Sequence, residues 1–225
     1  MLLSLGNLIG LGIASLVNFF ISIHLIKSYR EKRGKILKCF ASFITLRFFM
    51  FLSVILACFV YLLSGNLIAS SGLIVFAFAM IFSSLVFPPL LFCSFKWQKM
   101  KNFYAGVIGL AGLIGVLAMI VKFSPAVILP IGDALVSPPA LTQMLYLFAK
   151  LVGVLPLSLL FLLQLREREK RIKIRGLLIG LGLLWVASTA FIPNILATLI
   201  PVSFIGIYCC IGDILIFAGV KYKTA

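Results

Sequence analysis

Residues 2–38 read LLSLGNLIGLGIASLVNFFISIHLIKSYREKRGKILK, twenty-five residues without a formal charge followed by six lysines and arginines within twelve positions. An α-helix rises 1.5 Å per residue, so the apolar run is long enough to cross a hydrocarbon core of ~30 Å. No basic residue precedes it and a basic cluster follows it. A cleavable secretory signal has the opposite flanks and a shorter apolar core, so this first helix is expected to be retained. Basic residues stay on the cytoplasmic side, which predicts an N-terminus outside the cell.

The rest of the chain repeats the pattern. It has 225 residues, 63% of them hydrophobic, and a mean hydropathy of +1.24, beyond what a soluble domain of this length can hide in its core. Apolar runs predict seven transmembrane helices at approximately 2–26, 39–63, 72–94, 103–121, 142–165, 176–196 and 202–220. The fold class is therefore an all-α polytopic bundle, one transmembrane domain over residues 1–225. Basic residues set its orientation. Lys27, Arg30, Lys32, Arg33, Lys35 and Lys38 fall after the first run, and Lys96, Lys99 and Lys101 after the third. Arg166, Arg168, Lys170, Arg171, Lys173 and Arg175 fall after the fifth, and Lys221 and Lys223 after the seventh. These seventeen of the twenty lysines and arginines lie on one predicted side, which makes that side, and the C-terminus, cytoplasmic. Tyr29, Trp97, Tyr104 and Tyr222 fall at the inner boundary, Tyr61 and Tyr146 at the outer one, as amphipathic rings prefer. The expected location is the cell membrane.

A net charge of +15 on a soluble protein would point to nucleic acid. Here it sits in short clusters between apolar runs, which suits anionic lipid headgroups at the inner face and excludes nucleic acid as the expected partner. The five cysteines, Cys39, Cys58, Cys93, Cys209 and Cys210, form no C-x-x-C pair and read as small buried hydrophobes. Adjacent Cys209 and Cys210 point about 100° apart on a helix and are poorly placed to bridge.

Ionisable groups at lipid depth carry a functional hypothesis by default. Arg47, Lys150 and Asp213 qualify, with His24 near the inner boundary. Lys150 lies about eight residues into its run from outside and Asp213 about eleven, so their depths differ by about one helical turn. Arg47 enters from inside by about nine residues and approaches the same level. Either basic residue can neutralise Asp213. Two readings stand side by side: a polar cavity that binds a substrate, ion or proton, or an ion pair that only holds helices together. Snorkelling of Arg47 to the interface is a third fate for that residue. Pro88 and Pro89 in the third run and Pro156 in the fifth are candidate hinges, because proline frees carbonyls within a helix.

Other features read as structural. Gly106, Gly109, Gly112 and Gly115 in the fourth run, and Gly176, Gly180 and Gly182 in the sixth, predict close helix packing. The outer segment 123–142 carries Pro125, Pro130, Pro138 and Pro139, which forbid one continuous helix. Its apolar stretch 126–131 predicts a short piece lying in the interface, either as a connector or as a lid. The quartets Arg30-Glu31-Lys32-Arg33 and Arg168-Glu169-Lys170-Arg171 raise an internal repeat of three plus one plus three helices.

One histidine excludes a bis-histidine haem or a histidine-rich metal site, and no P-loop or G-x-G-x-x-G is present. No intramembrane carboxylate pair exists for proteolysis. No cofactor is expected, enzymatic activity is the minority expectation, and it would rest on Asp213. The stretch from Arg166 through LLIGLGLLWVASTAFIPNILATLIP (177–201) to GVKYK (219–223), with seven short-looped spans and basic inner loops, resembles the seven-helix sensor region at the N-terminus of some bacterial histidine kinases. That resemblance covers nearly the whole chain by layout and loop charge, and it implies a module that detects a small ligand. It departs in that no output domain follows in this sequence, so signalling would pass through a partner protein. The alternative is a small-solute transporter, or the substrate-binding subunit of one, with the same polar residues and prolines as site and hinges.

Overall fold

The computed structural model describes residues 2–3, 5–122, 127–128, 134–135, 138–167, 169–189 and 203–222. Helices dominate them: α1 (Leu5–Lys32), α2 (Lys35–Ser64), α3 (Leu67–Ser84), α4 (Phe87–Lys96), α5 (Lys101–Val121), α6 (Ala140–Gly153), α7 (Leu155–Leu162), α8 (Lys170–Ser188) and α9 (Ser203–Lys221). Five segments among the described residues are long and apolar enough to cross a bilayer: Leu8–Lys32, Lys35–Ser64, Leu67–Lys96, Gln98–Val121 and Ala140–Arg166. The chain is a helical membrane protein. Large apolar side chains such as Leu16, Phe20, Leu56, Leu110 and Leu113 stand exposed along the middle of their helices, a surface that suits hydrocarbon.

The helices extend beyond the apolar runs because their ends are capped by water-side chemistry. α1 continues through the basic cluster to Lys32, six residues past the predicted boundary, and stops where Arg33 adopts φ 47°. The Arg33 N–H donates to the Tyr29 carbonyl at 2.7 Å, closing the last turn. α2 ends at Gly65, whose φ of 63° is the left-handed conformation that a helix C-terminus favours. Asn66 then starts α3, its Oδ1 accepting from the Ala69 N–H at 3.0 Å. This Gly-Asn turn brings the third helix in at Leu67, five residues before the apolar run predicts it.

Two predicted spans are broken. The third divides at Leu85–Val86 into α3 and α4, with Pro88 and Pro89 in the first turn of α4, where a missing N–H costs least. The fifth divides at Val154 into α6 and α7, with Pro156 in the first turn of α7. The two breaks face each other: a Cβ on Gly153 would lie 3.2 Å from the Leu85 carbonyl oxygen and 3.6 Å from Pro89 Cδ.

Neighbours in sequence are neighbours in space, and α1 also packs against α9, so the bundle closes on itself. One buried cluster gathers Phe40, Phe43, Leu85, Ile108, Leu157 and Ile179 towards the end bearing the α1–α2 turn. A second gathers Ala14, Phe51, Ala57, Ile74 and Met119 towards the other end. Among the described residues, the only strands form a small antiparallel sheet of order β1-β3-β2, built from Leu2–Leu3 (β1), Val127–Ile128 (β2) and Ala134–Leu135 (β3). Leu2 pairs with Leu135 and Val127 with Leu135 on its other side, which ties the N-terminus to the segment after α5. Of the interfacial piece expected over 126–131, only that Val127–Ile128 backbone is described; Pro125 and Pro130 lie outside the described residues, as do residues 190–196 of the predicted sixth span and Val202 at the start of the seventh. The two basic quartets differ in local structure. The first ends α1, whereas Glu169 precedes α8 and Lys170 begins it.

Candidate functional site: a buried ionic cluster

Arg47, Lys150 and Asp213 come from α2, α6 and α9 and are 2%, 0% and 0% exposed. Asp213 pairs with Arg47. The guanidinium Nε lies 2.8 Å from Oδ1 and donates to Oδ2 at 2.9 Å, while Nη2 donates to the Cys209 carbonyl at 3.1 Å. Phe43 and Phe51, one turn to either side on α2, hold their rings 5.6 and 5.8 Å from the guanidinium carbon. Arg47 is thus fixed in the bundle interior and does not snorkel.

Lys150 takes different partners. Its Nζ donates to the hydroxyl of Thr189, the residue that caps the C-terminus of α8, and that hydroxyl donates in turn to the Val186 carbonyl at 2.7 Å. The Tyr146 ring, one turn earlier on α6, lies 4.4 Å from Nζ, a cation–π contact. No ion pair joins Lys150 to Asp213 among the described residues. Tyr146, read from sequence as an outer-interface ring, instead faces inward against Lys150, Phe78 and Phe82.

Asn18 of α1 completes the cluster. It is fully buried, donates Nδ2 to the Ala14 carbonyl at 3.0 Å, and lies in hydrogen-bonding reach of the Asp213 carboxylate. Its Oδ1 and Asp213 Oδ1 each lack an aligned donor, so acceptor capacity remains unused in the core of the bundle. The cluster therefore draws side chains from α1, α2, α6, α8 and α9. Asn18, Thr189, Tyr146 and the Cys209 carbonyl were missed from sequence, because small polar and aromatic residues are common in membrane helices and carry no depth signal.

The remaining candidates lie apart. His24 is exposed on α1, its Nδ1 3.0 Å from the Phe20 carbonyl, and joins no charge. Pro156 leaves the Val152 carbonyl without its helical N–H donor, and the Tyr104 hydroxyl of α5 donates to that oxygen at 3.1 Å. Pro88 and Pro89 are buried beside Gly153. Further polar links cross between helices: Thr142 Oγ1 to the Gly115 carbonyl at 2.8 Å, Ser158 Oγ to the Gly180 carbonyl at 2.7 Å, and Trp185 Nε1 to the Tyr208 carbonyl at 2.9 Å.

The glycine stripes divide by what they meet. Gly112 and Gly115 seat the Phe82 ring, whereas Gly106 and Gly109 face open space. Gly182 and Gly212 meet at the α8–α9 crossing, where a Cβ on either would lie 2.7–2.8 Å from the other's carbonyl oxygen.

No family model matches this sequence, and comparison with curated proteins and with solved structures gives no match. The class that fold and site define is a multi-pass helical membrane protein with an ionic cluster at the centre of its bundle.

Proposed function

We propose that the chain is a seven-helix module of the cell membrane, N-terminus outside and C-terminus in the cytoplasm, that detects a small negatively charged ligand and signals through a partner protein. The observation that carries this reading is the charge balance at lipid depth: two basic side chains, Arg47 and Lys150, against one carboxylate, Asp213. Unbalanced charge in hydrocarbon is costly, and an anion of matching size offsets it. A bound anion competes with Asp213 for Arg47 or adds to Lys150. Either event changes what holds α2 to α9, or α6 to α8, and so converts local charge into helix movement.

Support for seven spans comes from α8 and α9, nineteen residues each, packed within the bundle beside the five longer segments. Support for the orientation comes from the basic residues at the end of α1 and the start of α2, around the α4–α5 turn, and just ahead of and within the first turns of α8. The basic face suits docking of a cytoplasmic signalling protein.

A panel of acetate, lactate, succinate and benzoate, added to the purified protein, is expected to contain an anion that raises its melting temperature with concentration, and K150Q abolishes the rise. No stabilisation by any of them removes the anionic-ligand reading. Thiol labelling of intact cells places Ser28→Cys inside and Gly132→Cys outside; labelling on one common side removes the topology.

A transporter is the second reading, favoured by the facing helix breaks at Leu85–Val86 and Val154, one turn from Lys150. Proteoliposomes separate the two: flux of the stabilising anion that D213N abolishes selects transport, and its absence selects sensing.

A further inference from the structure

Where α1 turns into α2 and α4 into α5, a cavity of about 320 Å³ opens between the two turns. Three ammonium groups line it, Lys35 and Lys38 from the first turns of α2 and Lys101 from the first residue of α5. The Gln98 amide and the Ser94 hydroxyl join them, and no carboxylate does. None of the three lysines is held in an ion pair among the described residues. Behind the lysines the wall is apolar, made by Phe87, Leu90 and Leu91. Cys39 Sγ donates to the Phe87 carbonyl at 3.2 Å, which fixes α2 against α4 at the back of the cavity.

A second cavity of about 410 Å³ adjoins it and shares Lys38 and Phe87. This one runs along α2 from Ala41 to Leu46, with Ile26 and Tyr29 of α1 opposite. It is an apolar trough that climbs from the basic end of the bundle towards its middle.

The two halves together discriminate between ligands. A water-soluble anion uses the lysines and leaves the trough unused. A zwitterionic lipid uses the trough but brings a cation of its own to three ammonium groups. An acyl chain attached to a headgroup of net negative charge satisfies both, because hydrocarbon lies in the trough while phosphate oxygens accept from the lysines.

We propose that this composite site binds one anionic phospholipid of the adjoining leaflet, with its phosphate among Lys35, Lys38 and Lys101 and an acyl chain along Ala41–Leu46. The lipid bridges the α1–α2 turn to the α4–α5 turn, adding to the packing of α2 against α4. This site is separate from the central cluster and does not depend on the sensing reading.

Tyr29 lines the trough, so Y29W in a W97F background is the reporter, because Trp97 itself packs on Phe92 and faces a different cavity beside Pro156. The full chain is reconstituted in phosphatidylcholine vesicles doped with brominated phosphatidylglycerol or with brominated phosphatidylcholine, and the signal of the tryptophan at position 29 is read as the difference between Y29W/W97F and W97F. Stronger quenching by the anionic lipid is expected. Each lysine replaced in K35Q, K38Q and K101Q lowers that preference about fivefold, equivalent to about 1 kcal/mol. The charge-preserving set K35R, K38R and K101R keeps the preference, which separates loss of charge from loss of fold. Equal quenching by the two lipids, an unchanged preference in the triple Gln variant, loss in the Arg set, or displacement by soluble inorganic phosphate each overturns the assignment.

Discussion

Asp213 answers to Arg47 and not to Lys150, and that choice separates the two basic residues energetically. R47M leaves the carboxylate buried without its countercharge and is expected to cost about 3–5 kcal/mol. R47M with D213L removes both charges and is expected to recover more than about 1 kcal/mol of the summed single losses. K150M strips an ammonium held, among the described residues, by the Thr189 hydroxyl and the Tyr146 ring and by no carboxylate, so it is expected to be neutral or stabilising while it abolishes anion binding. Thermal denaturation of R47M, D213L, the double variant and K150M in detergent checks the contrast, and equal losses for R47M and K150M would contradict the pairing. The sequence marks these residues because a charge inside an apolar run is conspicuous, and counting residues from each interface puts them at similar depth. Depth is one coordinate only. Which helix face each side chain occupies, and which helices lie across from it, depends on the bundle, so the pairing and the supporting Asn18 and Thr189 were not legible.

The helices show a comparable division between local signals and long-range ones. Length and charge placed the main runs, while the ends moved wherever capping chemistry extended or stopped a helix, at Arg33, Gly65 and Asn66. Proline announced both breaks, but the rescue of the Val152 carbonyl by Tyr104 links residues forty-eight positions apart and has no local signature. Y104F is expected to cost about 1 kcal/mol, read as a lower melting temperature, and P156A, which restores the N–H donor for Val152, is expected to erase that cost in the double variant. Glycine spacing likewise predicts close packing without saying where. G212A drives a Cβ to within 2.8 Å of the Gly182 oxygen at the α8–α9 crossing and is expected to cost about 1–3 kcal/mol. G109A meets nothing within 4 Å and is expected to stabilise by up to about 1 kcal/mol through helix propensity alone. Similar melting temperatures for these two variants would contradict the packing assigned to α8 and α9.

Closure of the bundle is the property furthest from any local signal. Short connections make consecutive helices antiparallel neighbours, which orders the chain from α1 onwards, yet nothing in a run of apolar residues says that the last helix returns to the first. The contact is intimate. A Cβ on Gly206 of α9 would fall 2.4–2.7 Å from the backbone of Gly10 and Leu11, so only glycine permits the approach. At the basic end, Lys221 Nζ donates to Ser28 Oγ at 3.0 Å. Because the Asp213 carboxylate reaches Arg47 only while α9 stays against α1 and α2, closure also holds the ionic cluster together. It can be tested without a ligand. A chain carrying S28C and K221C, with a protease site inserted at Gly132, is treated with a short bismaleimide in dilute detergent, cut, and run under denaturing conditions. Of the five native cysteines, those at 39, 58, 93 and 210 are buried and compete little for the reagent, and the half-buried Cys209 is replaced in C209S. Closure predicts that the two halves migrate as one species after cutting, at a yield independent of protein concentration. Separate halves would mean that α9 does not lie against α1, and Arg47 and Asp213 would then have to find other partners in the bilayer.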